Sequence, residues 1–276
     1  MDNRTWRKFF SLMEERWVNF GDLLHPWYRE GMNFLYQFRN EVPTLQELND
    51  ALRDTGWQVQ YVKGYAPIWQ IAEMLGRKIM PISAKVRPYD QLLFAKEPDL
   101  LHDVFGHLPS LFSSEYRQLL EAWCRLAESI EVNDGDRTTY HLNKMIVAAN
   151  ENEDRQGVKH LSEAAELLKQ FIIDRPYSYL FLDKAYFWIM EFGLIKKGHN
   201  FQILGAGIVS SLSEWERIGS LEVPHLSLKA NLLTADTAIT TAQQSFLVAE
   251  SEDDFFEILE NMASHSTTEE IACGAV

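Results

Sequence analysis

The chain reads as mostly α: a single domain of many helices with a few short strands. Two observations predict this. Apolar residues recur at three- and four-residue spacings along most of the sequence, and these runs begin and end on helix-capping residues. Segments that alternate apolar and polar are, by contrast, few, isolated from one another and about five residues long.

Trp6, Phe9, Phe10, Met13, Trp17 and Phe20 form an aromatic stripe at helical spacing, read as core. Thr44 and Glu47 make a capping box ahead of Leu45, Leu48 and Leu52, and Gly56 stops that helix. Residues 58–63 alternate as a short strand. Pro67 opens a helix that runs to Gly76. A helix through Leu100–Val104 is expected to break at Gly106 and Pro109. Ser113 or Ser114 caps the next, with Tyr116, Leu119, Leu120, Trp123, Leu126 and Ile130 on its buried face. From Glu131 to Gln156 the composition turns polar and reads as turns or a mobile excursion. Helical signal returns at Leu161, Ala164, Leu168 and Phe171, with Ser162 as a possible cap, and is strongest from Leu182 to Lys197, with Gly198 as C-cap. Phe201–Leu204 reads as a strand before a Gly-Ala-Gly turn. Ser251 caps a last helix carrying Phe255, Phe256, Leu259 and Met262.

With 26 Lys+Arg against 40 Asp+Glu the formal charge is −14, and no basic run is dense enough to neutralise a phosphate backbone. Nucleic acid is therefore excluded as a partner. No stretch approaches the length of apolar sequence that spans a bilayer, which excludes a membrane partner. Two cysteines, Cys124 and Cys273, make no disulfide framework, and the N-terminus lacks a secretion signal; both suit a cytoplasmic setting.

The histidines that lie close together are His102 and His107. On a continuous α-helix a spacing of five sets two side chains about 140° apart, too far to share a ligand. A break at Gly106 would swing the second imidazole back; otherwise the two are unrelated. Glu191 is a lone carboxylate in the apolar run 186–193. It is either paired with a cation, at a polar helix edge, or a metal ligand, because a buried unpaired charge costs several kcal/mol. Two histidines and one carboxylate with open positions is the ligand set of non-haem Fe(II) oxygenases.

Further segments fall into a recognisable order: Thr55-Gly56-Trp57, Val62-Lys63-Gly64, Arg87 before Glu97-Pro98-Asp99, His102-Asp103-Val104-Phe105-Gly106-His107-Leu108-Pro109, Glu191-Phe192-Gly193-Leu194, Gly205–Ser211 and Phe246–Ser251. Over residues 40–125 and 180–263 the chain resembles the catalytic domain of the pterin-dependent aromatic amino acid hydroxylases. The resemblance implies that His102, His107 and Glu191 hold Fe(II). It implies that Arg87, steadied by Asp99, holds the substrate's α-carboxylate, for which a guanidinium fork is suited. Gly207 and Ser210 would line the substrate pocket, with Phe187 and Trp188 flanking the ring, and Gly64, Ile71, Asp103 and Tyr186 would contact a tetrahydropterin. The implied reaction is ring hydroxylation of phenylalanine or a related aromatic amino acid with O₂. The implied organisation is one catalytic domain over residues 1–265, interrupted by an insertion at about 125–179 and followed by a tail, 266–276. A monomer or homodimer is expected.

Three departures stand out. Ile71 replaces the usual stacking Phe, Phe187 replaces the usual Trp, and Tyr186 follows His107 by 79 positions, far more than in typical members. They leave room for an iron oxygenase with another aromatic substrate or reductant. A non-catalytic binding protein is disfavoured by the intact His102, His107, Glu191 and Arg87. A structural zinc site fits poorly without cysteine.

Overall fold

The computed structural model describes residues 3–63, 66–92, 98–172, 178–220, 222–235 and 242–265. Its first helix, Asn3–Phe20, buries Trp6, Phe9, Phe10, Met13 and Trp17, while Phe20 at its end is half exposed. The rings of that stripe close around one residue. Trp6, Phe9, Phe10 and Trp17 have centroids 5.2, 5.0, 5.5 and 6.3 Å from Phe105. Phe105 belongs to the His-Asp-Val-Phe-Gly-His segment, so the N-terminal helix packs directly behind the two histidines.

The capping box ahead of Leu45–Leu52 forms as the sequence predicts: the Glu47 N–H donates to Thr44 Oγ1 at 3.2 Å, and the Thr44 N–H donates to Glu47 Oε2 at 2.8 Å. Gly56 then takes the left-handed conformation, φ 75°, that turns the chain into β1 (Gln58–Val62). Helix Ile68–Gly76 crosses to β2 (Ile79–Ser83), which pairs in parallel with β1 from Gln58↔Ile79 to Val62↔Ser83. Helix Ser114–Glu128 buries the expected face, including Tyr116, Leu119, Leu120, Trp123 and Leu126.

Three local expectations are corrected. The polar stretch after Glu131 is not a run of turns. Residues Asp134–Glu151 form a helix, started by a capping box in which Asn133 and Asp136 satisfy each other's backbone N–H groups. A second helix, Arg155–Ile172, begins seven residues before Ser162, with Asp154 Oδ1 accepting from the Gly157 N–H at 2.9 Å. The two pack on each other as a helical hairpin turned at Asn152–Asp154. A marginal polar helix becomes stable when it has a partner.

The segment Leu182–Lys197 is not one helix either. An α-helix, Ser178–Ala185, passes into a π turn, Tyr186–Glu191. The chain then becomes β3 (Leu194–Lys197), and Gly198, at φ 60°, makes a hairpin turn to β4 (Asn200–Ile203) rather than a helix cap. The strands, expected to be isolated, also pair. With β5 (His225–Ser227) and β6 (Phe246–Ala249), β3 and β4 form a sheet in the order β4-β3-β6-β5. β3 runs antiparallel to β4 and parallel to β6. Pairing on both sides overrides the helical preference of Leu194–Lys197. The last helix, Asp253–His265, buries Phe255 and Leu259 as expected. The predicted tail, 266–276, lies outside the described residues, and no described helix is long and apolar enough to cross a membrane.

Candidate metal centre

His102 ends a one-turn helix, Leu100–His102, and His107 ends the π turn Asp103–His107 that continues it. The helix does not break at Gly106, as the sequence suggests; it widens. A π turn closes bonds between residues five apart, and the Leu108 N–H donates to the Asp103 carbonyl at 3.4 Å. The spacing of five that would separate two side chains on an α-helix therefore brings them to one side. The imidazoles sit with centroids 5.1 Å apart and planes at 86°. Gly106 serves a close approach: a Cβ there would lie 2.7 Å from the Ala206 carbonyl oxygen of helix Ala206–Val209.

Glu191 ends the second π turn, in which the Phe192 N–H donates to the Phe187 carbonyl at 2.9 Å. Its Oε1 lies 3.1 Å from His107 Nε2 and its Oε2 lies 3.3 Å from His102 Nε2. Gly205 and Gly207 keep the turn in place. A Cβ on either would come within 3 Å of the Glu191 carbonyl oxygen, at 2.4 and 2.9 Å. Burial opposes ionisation of Glu191, but the charges of His107 and His102 and their hydrogen bonds hold its carboxyl far below the usual range. Burial likewise opposes a charge on His102, and Glu191 more than offsets it, so that imidazole is raised.

One hydroxyl settles the tautomer of His102. Ser210 Oγ donates its single hydrogen to the Ala206 carbonyl at 2.7 Å, so at 2.9 Å it accepts from His102 Nδ1. With Nδ1 holding its proton, Nε2, which faces Glu191, is the nitrogen that can give up its proton and bind a metal. Two imidazole nitrogens and one carboxylate, nearly dry and without a cysteine, are the donor set suited to a non-haem Fe(II) ion. The one described cysteine, Cys124, is buried elsewhere with its thiol pushed up to about 12 by burial.

Asp103 adds a further acid: its ligating atom and those of His102 and His107 all lie within 4.8 Å of one another. Its Oδ2 accepts from the Ser83 N–H at the end of β2 at 2.5 Å, and burial raises its carboxyl to about 6. Arg87 and Asp99 form a buried two-pronged pair, Nε to Oδ2 at 3.0 Å and Nη2 to Oδ1 at 2.6 Å, with the Arg87 N–H also donating to Oδ2 at 2.7 Å. Asp99 Oδ1 further accepts from the His102 N–H at 3.0 Å as the N-cap of that helix. The acid that steadies Arg87 thus also starts the helix carrying His102. The guanidinium lies 5.4 Å from the Phe9 ring centre.

The remaining candidates are dispersed around these groups. Phe187 stacks on Phe192 at 4.7 Å and meets the fully buried Trp188 edge-on at 5.1 Å. Tyr186 meets Trp123 at 5.0 Å, and burial, reinforced by the Glu191 charge, raises its hydroxyl well above the ordinary range. Ile71 is half-buried in helix Ile68–Gly76. Gly64 lies outside the described residues. Sequence reasoning missed Ser83 and the link of Ser210 to His102, because neither contact leaves a local spacing signal.

Comparison with known proteins places this arrangement. A family described as biopterin-dependent aromatic amino acid hydroxylase matches residues 1–129 and 180–270, so the match passes over the whole helical hairpin. Phenylalanine-4-hydroxylase of Ralstonia nicotianae is 29% identical over 219 residues, 77% of this chain and 54% of that protein. The enzyme of the same name from Chromobacterium violaceum is 29% identical over 188 residues, 68% of this chain and 49% of that protein. The chain thus spans about half the length of these curated relatives. The crystal structure of Chromobacterium violaceum phenylalanine hydroxylase, with bound iron(III) and 7,8-dihydrobiopterin, aligns at a TM-score of 0.71 and 22% identity, covering 96% of this chain and 82% of that one. The apo enzyme of Colwellia psychrerythraea aligns at 0.69 and 18%, covering 96% and 87%. These two likenesses carry the fold; the family match, over both π turns, carries the kinship, and this chain belongs to the biopterin-dependent aromatic amino acid hydroxylases.

Proposed function

We propose that this chain is a non-haem Fe(II)- and tetrahydropterin-dependent monooxygenase that hydroxylates the ring of phenylalanine or a related aromatic amino acid with O₂. The observation that carries the reading is the Glu191 carboxylate set 3.1 and 3.3 Å from the Nε2 atoms of His107 and His102, with the His102 tautomer fixed from behind by Ser210. The family match and the name phenylalanine-4-hydroxylase on its relatives support it.

His102, His107 and Glu191 would hold Fe(II), and three protein ligands leave coordination positions open. Bound there with a reduced pterin, the metal supplies activation of O₂ for insertion into an aromatic ring. The protein's own contribution is to position and to keep dry. Arg87 binds the substrate's carboxylate, and Asp99, taking two of its donors, aims the remaining guanidinium N–H groups. Phe187 and Trp188 flank the substrate ring, while Gly207 and Ser210 form the wall nearest Glu191 and His102. Asp103, Tyr186, Ile71 and Gly64 are assigned to the pterin side. Ile71 offers no aromatic face, which removes about 0.5–1.5 kcal/mol of stacking. The reaction is assigned to a reducing cytoplasm, and the working unit to a monomer or homodimer.

A second reading keeps iron and O₂ but changes the aromatic substrate or the reductant. It is favoured by Ile71 and by Phe187, whose face is already stacked on Phe192. One experiment separates the two: mass spectrometry of products after anaerobic Fe(II) loading, with a panel of aromatic amino acids, tetrahydropterin and O₂. A hydroxylated amino acid formed only with tetrahydropterin upholds the first. Oxygen consumption without that product, or turnover with another reductant alone, upholds the second.

A further inference from the structure

We infer that Tyr28 is a positioning residue of the metal centre, holding in place the π turn that carries His102 and His107. The inference rests on the reading of His102, His107 and Glu191 as ligands and extends it to a helix that contributes none of them. Tyr28 lies in helix Pro26–Leu35, and its hydroxyl donates to the Phe105 carbonyl at 2.7 Å, with both residues fully buried. Phe105 is the middle residue of the turn Asp103–His107. In an ordinary α-helix its carbonyl would accept from the N–H four residues on, but that residue is Pro109, which has none. Tyr28 brings a donor from outside the helix.

The consequence reaches the ligands because of where Phe105 sits. Its ring is gripped by Trp6, Phe9, Phe10 and Trp17, which fix the side chain but leave the peptide plane free to tilt. The hydrogen bond from Tyr28 fixes the plane. A buried carbonyl deprived of its donor drives the backbone to find another partner. Any tightening of the turn toward α geometry would rotate His107 away from His102. The position of Tyr28 is itself set by close packing: a Cβ on Gly31, one turn along the same helix, would fall 2.0 Å from the Pro109 carbonyl oxygen. Burial raises the Tyr28 hydroxyl far above the ordinary range for a phenol, so it remains a donor at every working pH.

The test is Tyr28→Phe, with metal binding rather than turnover as the readout. Fe(II) affinity is measured anaerobically by chelator competition, and the visible absorption of the Co(II)-loaded protein reports the ligand geometry. Tyr28→Phe is expected to weaken Fe(II) binding about tenfold, as loss of a group supporting metal ligands does, and to shift the Co(II) bands. Leu259→Ala, on the buried face of the last helix, should lower the melting temperature without either change. Placing p-aminophenylalanine at position 28 returns an N–H donor to the same point and should restore affinity and spectrum. Parental affinity and spectrum in Tyr28→Phe, an equal loss in Leu259→Ala, or no recovery with the amino analogue would each overturn the inference. A parent protein that binds neither Fe(II) nor Co(II) would overturn the metal reading beneath it.

Discussion

Asp99→Asn isolates the contact on which both substrate and metal positioning converge. Asp99 Oδ2 accepts from the Arg87 N–H at 2.7 Å and Nε–H at 3.0 Å, while Oδ1 accepts from Nη2 at 2.6 Å and from the His102 N–H at 3.0 Å. Asparagine is as good an N-cap as aspartate, so its oxygen can keep the His102 N–H bonded. Its NH₂ group must then face the Arg87 N–H and Nε–H, donor against donor. Two buried donors left without an acceptor cost about 1–3 kcal/mol each, in keeping with about 3–5 kcal/mol for breaking a buried ion pair. For a domain of this size, about 3 kcal/mol corresponds to a fall in melting temperature of about 6–12 °C. The guanidinium, no longer held by two prongs, should also bind a substrate carboxylate less well. The assay pairs thermal melts of the iron-loaded protein with KM for the amino acid that proves to be the substrate. Asp99→Asn should melt lower and raise KM while retaining iron. A variant that melts and binds substrate like the parent would refute the reasoning, since Asp99 would then do no more than cap a helix.

Glu191→Ala and His107→Ala are each expected to abolish hydroxylation and lower bound iron below the parent's one per chain, measured by elemental analysis, with circular dichroism little changed; activity that survives exhaustive iron removal would defeat the assignment. His25 is fully buried, donates from Nε2 to Glu252 Oε1 at 2.9 Å, and burial lowers its pKa below 6.5. The unfolded chain therefore takes up this proton first as pH falls, so the contribution is present above pH 6.5 and declines below it. Urea melts at pH 7.5 and 5.5 should show a larger loss for the parent than for His25→Asn, and equal losses would remove His25 from the account. Tyr140 of helix Asp134–Glu151 meets Trp69 of helix Ile68–Gly76 edge-on at 5.4 Å. Replacing residues 131–177 by a short linker should leave a folded protein with altered substrate selectivity or turnover; unchanged values would assign the hairpin to packing or dimerisation alone.

The residues of the candidate centre could be read from the chain, but their arrangement could not. A carboxylate alone in an apolar run and two histidines five apart are visible as chemistry, because a buried charge demands a partner wherever it lies. The order of the surrounding motifs carried the family resemblance. What the spacing could not say was how two imidazoles separated by five positions come to face one carboxylate. The π register depends on Pro109, on Gly106 against Ala206 and on a hydroxyl from Tyr28, contacts that bridge up to about a hundred positions.

By itself the sequence determined the features whose causes are local. The aromatic stripe at helical spacing, the capping box at Thr44 and Glu47 and the left-handed turn at Gly56 depend on residues within a few positions of one another, and each formed as expected. Only the tertiary structure decided the rest. Leu194–Lys197 became a strand because β4 and β6 offered hydrogen bonds on both edges, and Asp134–Glu151 became a helix because Arg155–Ile172 lay alongside to pack against. Asp99 joined Arg87 to the His102 helix, and Ser210 chose the proton-bearing nitrogen of His102. In each case the deciding partner lies outside the segment's own periodicity, from the next element along, as with β4 and Arg155–Ile172, to 108 positions away, as with Ser210 and His102. The free energy of pairing or burial it supplies outweighs a local preference worth only a few tenths of a kcal/mol per residue.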